Sequence, residues 1–125
     1  MLTTAKAITF VLTPDHKRAA AWYRDMLGLR LVSTDDFAAV FDLAGTTLRL
    51  TTVQGHTAGA HTVLGWAVPD IRAAIAGLKA KGVEFLVYPG FGQDADGVWS
   101  APGGMVKVCW FNDPDGNNLS LTEMP

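Results

Sequence analysis

The sequence predicts an α+β fold built from two copies of one strand–helix–strands unit, and three observations carry that prediction. A pattern near residue 10 returns near residue 65, each copy opens its helix with Pro-Asp, and each copy contains a matching Gly hairpin. Hydrophobic residues make up 49% of the 125 and charged residues 18%, enough apolar material for a core and too much for disorder. The length fits a single domain, 1–125.

The first copy spans about 5–53. Thr9-Phe10-Val11-Leu12-Thr13 reads as a strand, and Pro14-Asp15 then starts a helix, with the Asp15 carboxylate able to take orphan amide protons. Ala19, Trp22, Tyr23, Met26 and Leu27 share one helical face. Gly28 suits the left-handed residue beyond the helix, and Leu29-Arg30-Leu31-Val32 resumes an extended chain. Ala44-Gly45-Thr46-Thr47-Leu48-Arg49-Leu50-Thr51 is a hairpin turn and strand. A Gly/Ala-rich stretch, 54–60, is expected to link the copies.

The second copy spans about 61–124. Gly65-Trp66-Ala67-Val68 precedes Pro69-Asp70, whose carboxylate is the second cap. Ile71, Ala74, Ile75 and Leu78 form the apolar helix face, and Gly82 stops the helix. Val83-Glu84-Phe85-Leu86-Val87 reads as a strand. Tyr88 to Gly97, with Pro89, Gly90 and Gly92, is the longest irregular stretch of this copy and a natural lid or rim. Asp113-Pro114-Asp115-Gly116 is a tight turn: proline presets its φ, glycine takes the positive-φ site, and the aspartates bond nearby backbone. Leu119-Ser120-Leu121-Thr122 alternates, with both leucines on one face and both hydroxyls on the other.

Ten basic and twelve acidic residues leave a net charge of −2 without a basic run, so neither nucleic acid nor an anionic membrane surface is expected as a partner. No apolar stretch is long enough to span a membrane, and Met1-Leu2-Thr3-Thr4-Ala5-Lys6 lacks the build of a secretory leader. The single Cys109 allows no internal disulfide and reads as a buried thiol. A cytoplasmic protein is expected.

The turn Asp113-Pro114-Asp115-Gly116-Asn117-Asn118 with its strand resembles the last hairpin of the vicinal-oxygen-chelate superfamily, which includes glyoxalase I, bleomycin-resistance proteins and extradiol dioxygenases. The resemblance covers essentially the whole chain. It implies two βαβββ modules forming a curved mixed sheet round a central cavity. A ferredoxin-like α+β domain has a similar βαβ order, but two three-strand tails favour the modules. In the family's metal enzymes a glutamate follows this turn and binds the metal; here that position is Ser120. Aligning the other strands puts the remaining ligand positions at Ile8, Arg49 and Val63. None is a usual ligand for zinc, iron or nickel, so no metal and no cofactor are expected. His61 shares the face of Val63 and reads as a ligand, a hydrogen-bonding group at the rim, or a surface residue. His16 and His56 are expected to be solvated.

Strand parity puts Ile8, Phe10 and Leu12, Thr47, Arg49 and Thr51, Val63, Gly65 and Ala67, and Asn118, Ser120 and Thr122 on the inward faces. Arg49 is either a fork for a carboxylate, phosphate or enolate oxygen, an ion-pair partner of an acid such as Asp42, or a strand-end group reaching solvent. Tyr88 and Trp99 read as rings that flank a planar ligand, and parity leaves open whether Trp110 or Phe111 looks inward. The candidate ligand-binding set is therefore Phe10, Arg49, Thr51, His61, Val63, Tyr88, Trp99, Phe111 and Ser120. No catalytic residue can be named. The expected function is metal-free binding of a small apolar or aromatic molecule in the central cavity, as in bleomycin-resistance proteins, by a homodimer. The alternative is a metal-independent isomerase, lyase or hydrolase of a small carbonyl compound. A metal-dependent glyoxalase or dioxygenase is the third reading, which the missing ligands disfavour.

Overall fold

The computed structural model describes residues 1–125 as two compact units, Met1–Ala58 and Gly59–Pro125, which divide inside the expected 54–60 linker. In the first unit the order is β1 (Ile8–Thr13), α1 (His16–Asp25), β2 (Arg30–Thr34), β3 (Ala38–Leu43) and β4 (Thr46–Thr52). The sheet order is β1-β4-β3-β2, with β1 parallel to β4 and the other pairs antiparallel. The second unit repeats this with β5 (Thr62–Ala67), α2 (Ile71–Ala80), β6 (Trp99–Ser100), β7 (Lys107–Asn112) and β8 (Asn118–Glu123), in the order β5-β8-β7-β6. Two mixed sheets, each closing its last strand in parallel onto its first, make two βαβββ modules of an α+β fold rather than one ferredoxin-like sheet. No helix is long and apolar enough to cross a membrane.

The local signals act as their chemistry predicts. Asp15 caps α1 by accepting from the Lys17 and Arg18 amides, and Asp70 caps α2 through the Ala73 amide. Gly28 and Gly82 take φ of 68° and 98° just beyond the helices. In the last hairpin Asp113 accepts from the Asp115 and Asn117 amides and from the Asn117 side chain, while Gly116 sits at φ 83°. Alternation then sets the core. Val11, Phe41, Leu48 and Leu50 are buried on the face that α1 covers with Ala19, Ala20 and Tyr23; Cys109, Phe111, Leu119 and Leu121 form the second core with Ile71 and Ile75.

Three expectations are corrected. His16 is not solvated but 4% exposed. Its Nε2–H donates to the Asp35 carbonyl at 2.8 Å, and its Nδ1 lies against the Thr52 hydroxyl, which also accepts the His16 amide. A helix-start residue is buried here because β4 ends beneath it. Val83–Val87 is not a continuous strand. Phe85 makes one bridge to Phe111, the chain leaves the sheet over 88–98, and Trp99–Ser100 returns to pair the same neighbour, β7. Finally, Asp42 pairs with Arg30 at 3.4 Å and accepts the Gly45 amide in its turn, so it is not the partner of Arg49.

Candidate functional site

The second unit holds a cavity of about 330 Å³ lined by Ala60, His61 and Thr62 at the start of β5, Tyr88 and Phe91 from the 88–98 loop, Trp110 of β7 and Asn118 of β8. Register explains the strand contributions. Trp110 pairs with Ser120 and Gly65 with Ser120, so all three share the face opposite the helix, while Phe111 pairs with buried Leu119. The rings of Tyr88, Phe91 and Trp110 stand edge to face, with centroids 5.6–5.9 Å apart and interplanar angles of 63–86°. Trp99 extends the cluster, 6.2 Å from Phe91.

A loop rich in glycine forms this wall because polar side chains pin it. The Gln93 amide accepts from the Tyr88 backbone at 2.6 Å and donates to the Leu86 and Gly97 carbonyls at 2.9 and 2.7 Å. Asp94 takes the Asp96 and Val98 amides, and Arg72 of α2 grips Asp94 at 2.6 Å and Asp96 at 2.9 Å. The Arg72 guanidinium holds the Asp94 carboxyl below the usual carboxylate range, helped by those backbone amides. The stretch expected to be a lid or rim is a braced wall.

The polar edge comes from β5 and β8. A bulge between Thr62 and Leu64 shifts the register, so Thr62 reaches Ser120 and donates to its Oγ at 2.9 Å. Asn118, 5% exposed, donates through Nδ2 to the Tyr88 hydroxyl at 2.9 Å. Its Oδ1 is buried with no hydrogen-bond partner in the protein.

The expected site residues separate accordingly. His61 and Tyr88 line the cavity, and Trp99 adjoins it through Phe91. Val63 is the bulged residue of β5, and Ser120 is occupied by Thr62. Phe111 is placed away from the cavity: it is fully buried on the helix face, its ring 5.4 Å from Phe85. Trp110 is the inward ring of that pair. Phe10, Arg49 and Thr51 belong to the first unit, on the face away from α1. There Arg49 is half-buried between Phe10 and Val40 in register, and Thr51 donates to its carbonyl at 3.1 Å. Its charge, after the Phe37 and Ala38 amides, helps hold Asp35 below the usual carboxylate range. Thr62, Phe91 and Asn118 complete the cavity although the candidate set omits them; Asn118 shares the parity of Ser120, which is the signal that could have found it.

The four expected metal positions do not fit a metal. Ile8 and Val63 are aliphatic, Arg49 is a cation, and the Ser120 hydroxyl is buried and engaged. No group of three or more His, Cys, Asp or Glu side chains converges anywhere in the chain.

With this geometry in place, comparison with known proteins is decisive on kinship. The sequence model of the Glyoxalase/Bleomycin resistance protein/Dioxygenase superfamily matches residues 6–121. The chain belongs to this superfamily. Among solved structures, it is similar to a glyoxalase/bleomycin resistance protein from Catenulispora acidiphila DSM 44928, at 25% identity and TM-score 0.70, over 96% of this chain and 98% of that one. A superfamily member from Sphaerobacter thermophilus DSM 20745 gives 23% identity and TM-score 0.74, over 98% and 99%. Lactoylglutathione lyase from Agrobacterium tumefaciens gives 18% and 0.72, over 96% and 93%. These last two likenesses are of fold alone. No curated protein matches the chain.

Proposed function

We propose that this glyoxalase/bleomycin-resistance superfamily member binds a small apolar or aromatic molecule, without metal, in the cavity of its second unit. The observation that carries the reading is the cavity itself, with three aromatic walls and a few polar atoms at one edge, the usual makeup of a small-ligand site. A bound ring losing about 150–250 Å² of surface gains roughly 4–6 kcal/mol before the cost of association, so a bare ring should bind weakly, near millimolar. The natural ligand therefore needs further contacts.

Tryptophan fluorescence tests this, since Trp110 lines the cavity and Trp99 adjoins it. Saturable quenching by a non-emitting aromatic compound in the presence of chelator, weakened in Trp110→Ala, is expected. Quenching that is linear, or that needs an added divalent metal, would refute it.

The enzymatic alternative, a metal-independent isomerase, lyase or hydrolase of a small carbonyl compound, is favoured by one observation: an imidazole, His61, borders the cavity. In that case His61→Ala abolishes turnover while binding persists. Cytoplasmic residence and a homodimer belong to the proposal too; what supports the dimer is that Ile8 and Phe10 stand exposed on β1, an edge strand. Sedimentation showing a strict monomer at micromolar concentration would remove the dimer.

A further inference from the structure

We propose that the sheet face of the first unit, on the side away from α1, binds a small organic carboxylate. The Arg49 guanidinium is the fork for its two oxygens, and Phe10 and Val40 support its apolar body. The proposal concerns the first unit alone and goes beyond the reading of the second-unit cavity.

Leu48 and Leu50 are fully buried, so the alternation of β4 sends Arg49 to the opposite face. Arg49 stands mid-strand, in register with Phe10 on one side and Val40 on the other. Phe10 is 56% exposed and Ile8 52%, so the cation is set in an open apolar face. It is therefore no strand-end group, and Asp42 is held by Arg30 instead. No side chain hydrogen-bonds or ion-pairs with the Arg49 guanidinium. Asp35 feels its charge, but the Phe37 and Ala38 amides, at 2.8 and 2.9 Å, answer that carboxylate first. The residue is half-buried, yet none of its unpaired nitrogens is closed off from solvent. A planar fork of N–H donors is thus presented to an incoming acceptor.

A cation crowded by apolar neighbours has lost part of its hydration, and an oxyanion restores what was lost. The fork matches a carboxylate in two parallel hydrogen bonds. One guanidinium between apolar flanks suits a single negative charge on an apolar body. A phosphate dianion would want a second cation, and the next one on this face, Arg30, is spent on Asp42 at 3.4 Å.

Benzoate and benzamide have nearly the same shape and differ in charge. Each is titrated into the full chain at neutral pH and followed by backbone amide shifts and the Arg49 Nε–H resonance. Benzoate should give saturable shifts at Phe10, Val40 and Arg49 Nε–H, and bind there about tenfold or more tighter than benzamide, the scale of a charge-assisted hydrogen bond. Arg49→Gln should erase that preference, and Arg49→Lys, a cation without the fork, should keep only part of it. If Arg49→Gln does not fold, the wild-type Nε–H resonance decides, since it must move with benzoate and not with benzamide. Benzamide binding these residues as well as benzoate, benzoate leaving them unmoved, or benzoate shifts that survive Arg49→Gln overturns the inference. Inorganic phosphate saturating them more tightly than benzoate overturns the carboxylate assignment. Ring binding in the second-unit cavity is read separately, at Tyr88 and Trp110, and stands or falls on its own.

Discussion

Asn118 Nδ2 donates to the Tyr88 hydroxyl at 2.9 Å, tying the final strand to a loop thirty residues earlier in the chain. The bond sets the position of one aromatic wall. Tyr88→Phe keeps the ring and removes the tie, leaving the buried Asn118 amide without its hydroxyl partner. A loss of about 1–3 kcal/mol in urea unfolding is expected. A change within a few tenths of a kcal/mol would mean that the bond contributes no net stability.

Gly65 and Ser120 make a second tight relationship. A Cβ added at Gly65 would lie 2.6 Å from Ser120 Oγ and 3.2 Å from the Ser120 carbonyl oxygen. Gly65→Ala should therefore cost about 1–3 kcal/mol, as overpacking does. Adding Ser120→Ala removes the nearer atom and should recover part of that loss, leaving the carbonyl contact. Strict additivity in the double-mutant cycle would show that the clash is relieved some other way.

The braced loop should depend on acid pH. Arg72 holds the Asp94 carboxyl below its unfolded value, so the stabilisation is complete above the ordinary aspartate value of about 3.9 and fades as pH falls through the lower folded value. The partners are 47% and 41% exposed, so solvent keeps the gain small. Wild type should be the more stable of the pair with Asp94→Asn at pH 6, and thermal melts should converge at strongly acid pH. A gap that widens as pH falls would contradict the assignment.

Cys109 is fully buried, and burial pushes its thiol up to about 11. The native protein should resist a disulfide reagent at pH 8 and react once denatured. Immediate stoichiometric labelling of the folded chain would place the thiol at a reactive surface.

The parts of the fold legible in the sequence are those decided within a few residues. Asp15, Asp70, Gly28, Gly82 and the Asp113–Asn117 turn act through neighbouring amides, and the leucine alternation of β4 and β8 selects the buried face without outside help. The rest depends on distant partners. His16 is buried because Thr52 and Asp35 meet its ring, and no helical pattern around residue 16 records that. The β5 bulge breaks strict parity, which brings Thr62 rather than Val63 to Ser120. Trp110 and Phe111 could be assigned only once Asn112 was known to pair with Asn118. Val83–Val87 has strand composition, yet the excursion beginning at Tyr88 cuts it short. The cavity lining was half legible: His61 and Tyr88 stand in the expected set, but Gln93, which organises the wall, sits in no pattern.

The central claim is that the aromatic cavity of the second unit takes a small ring without metal. Amide and side-chain chemical shifts recorded during an indole titration, with chelator present throughout, test it most directly. Saturable shifts centred on His61, Thr62, Tyr88, Phe91, Trp110 and Asn118, unchanged by added zinc, are the predicted result. Shifts confined to the first unit, or saturation that appears only after a divalent metal is supplied, would contradict it.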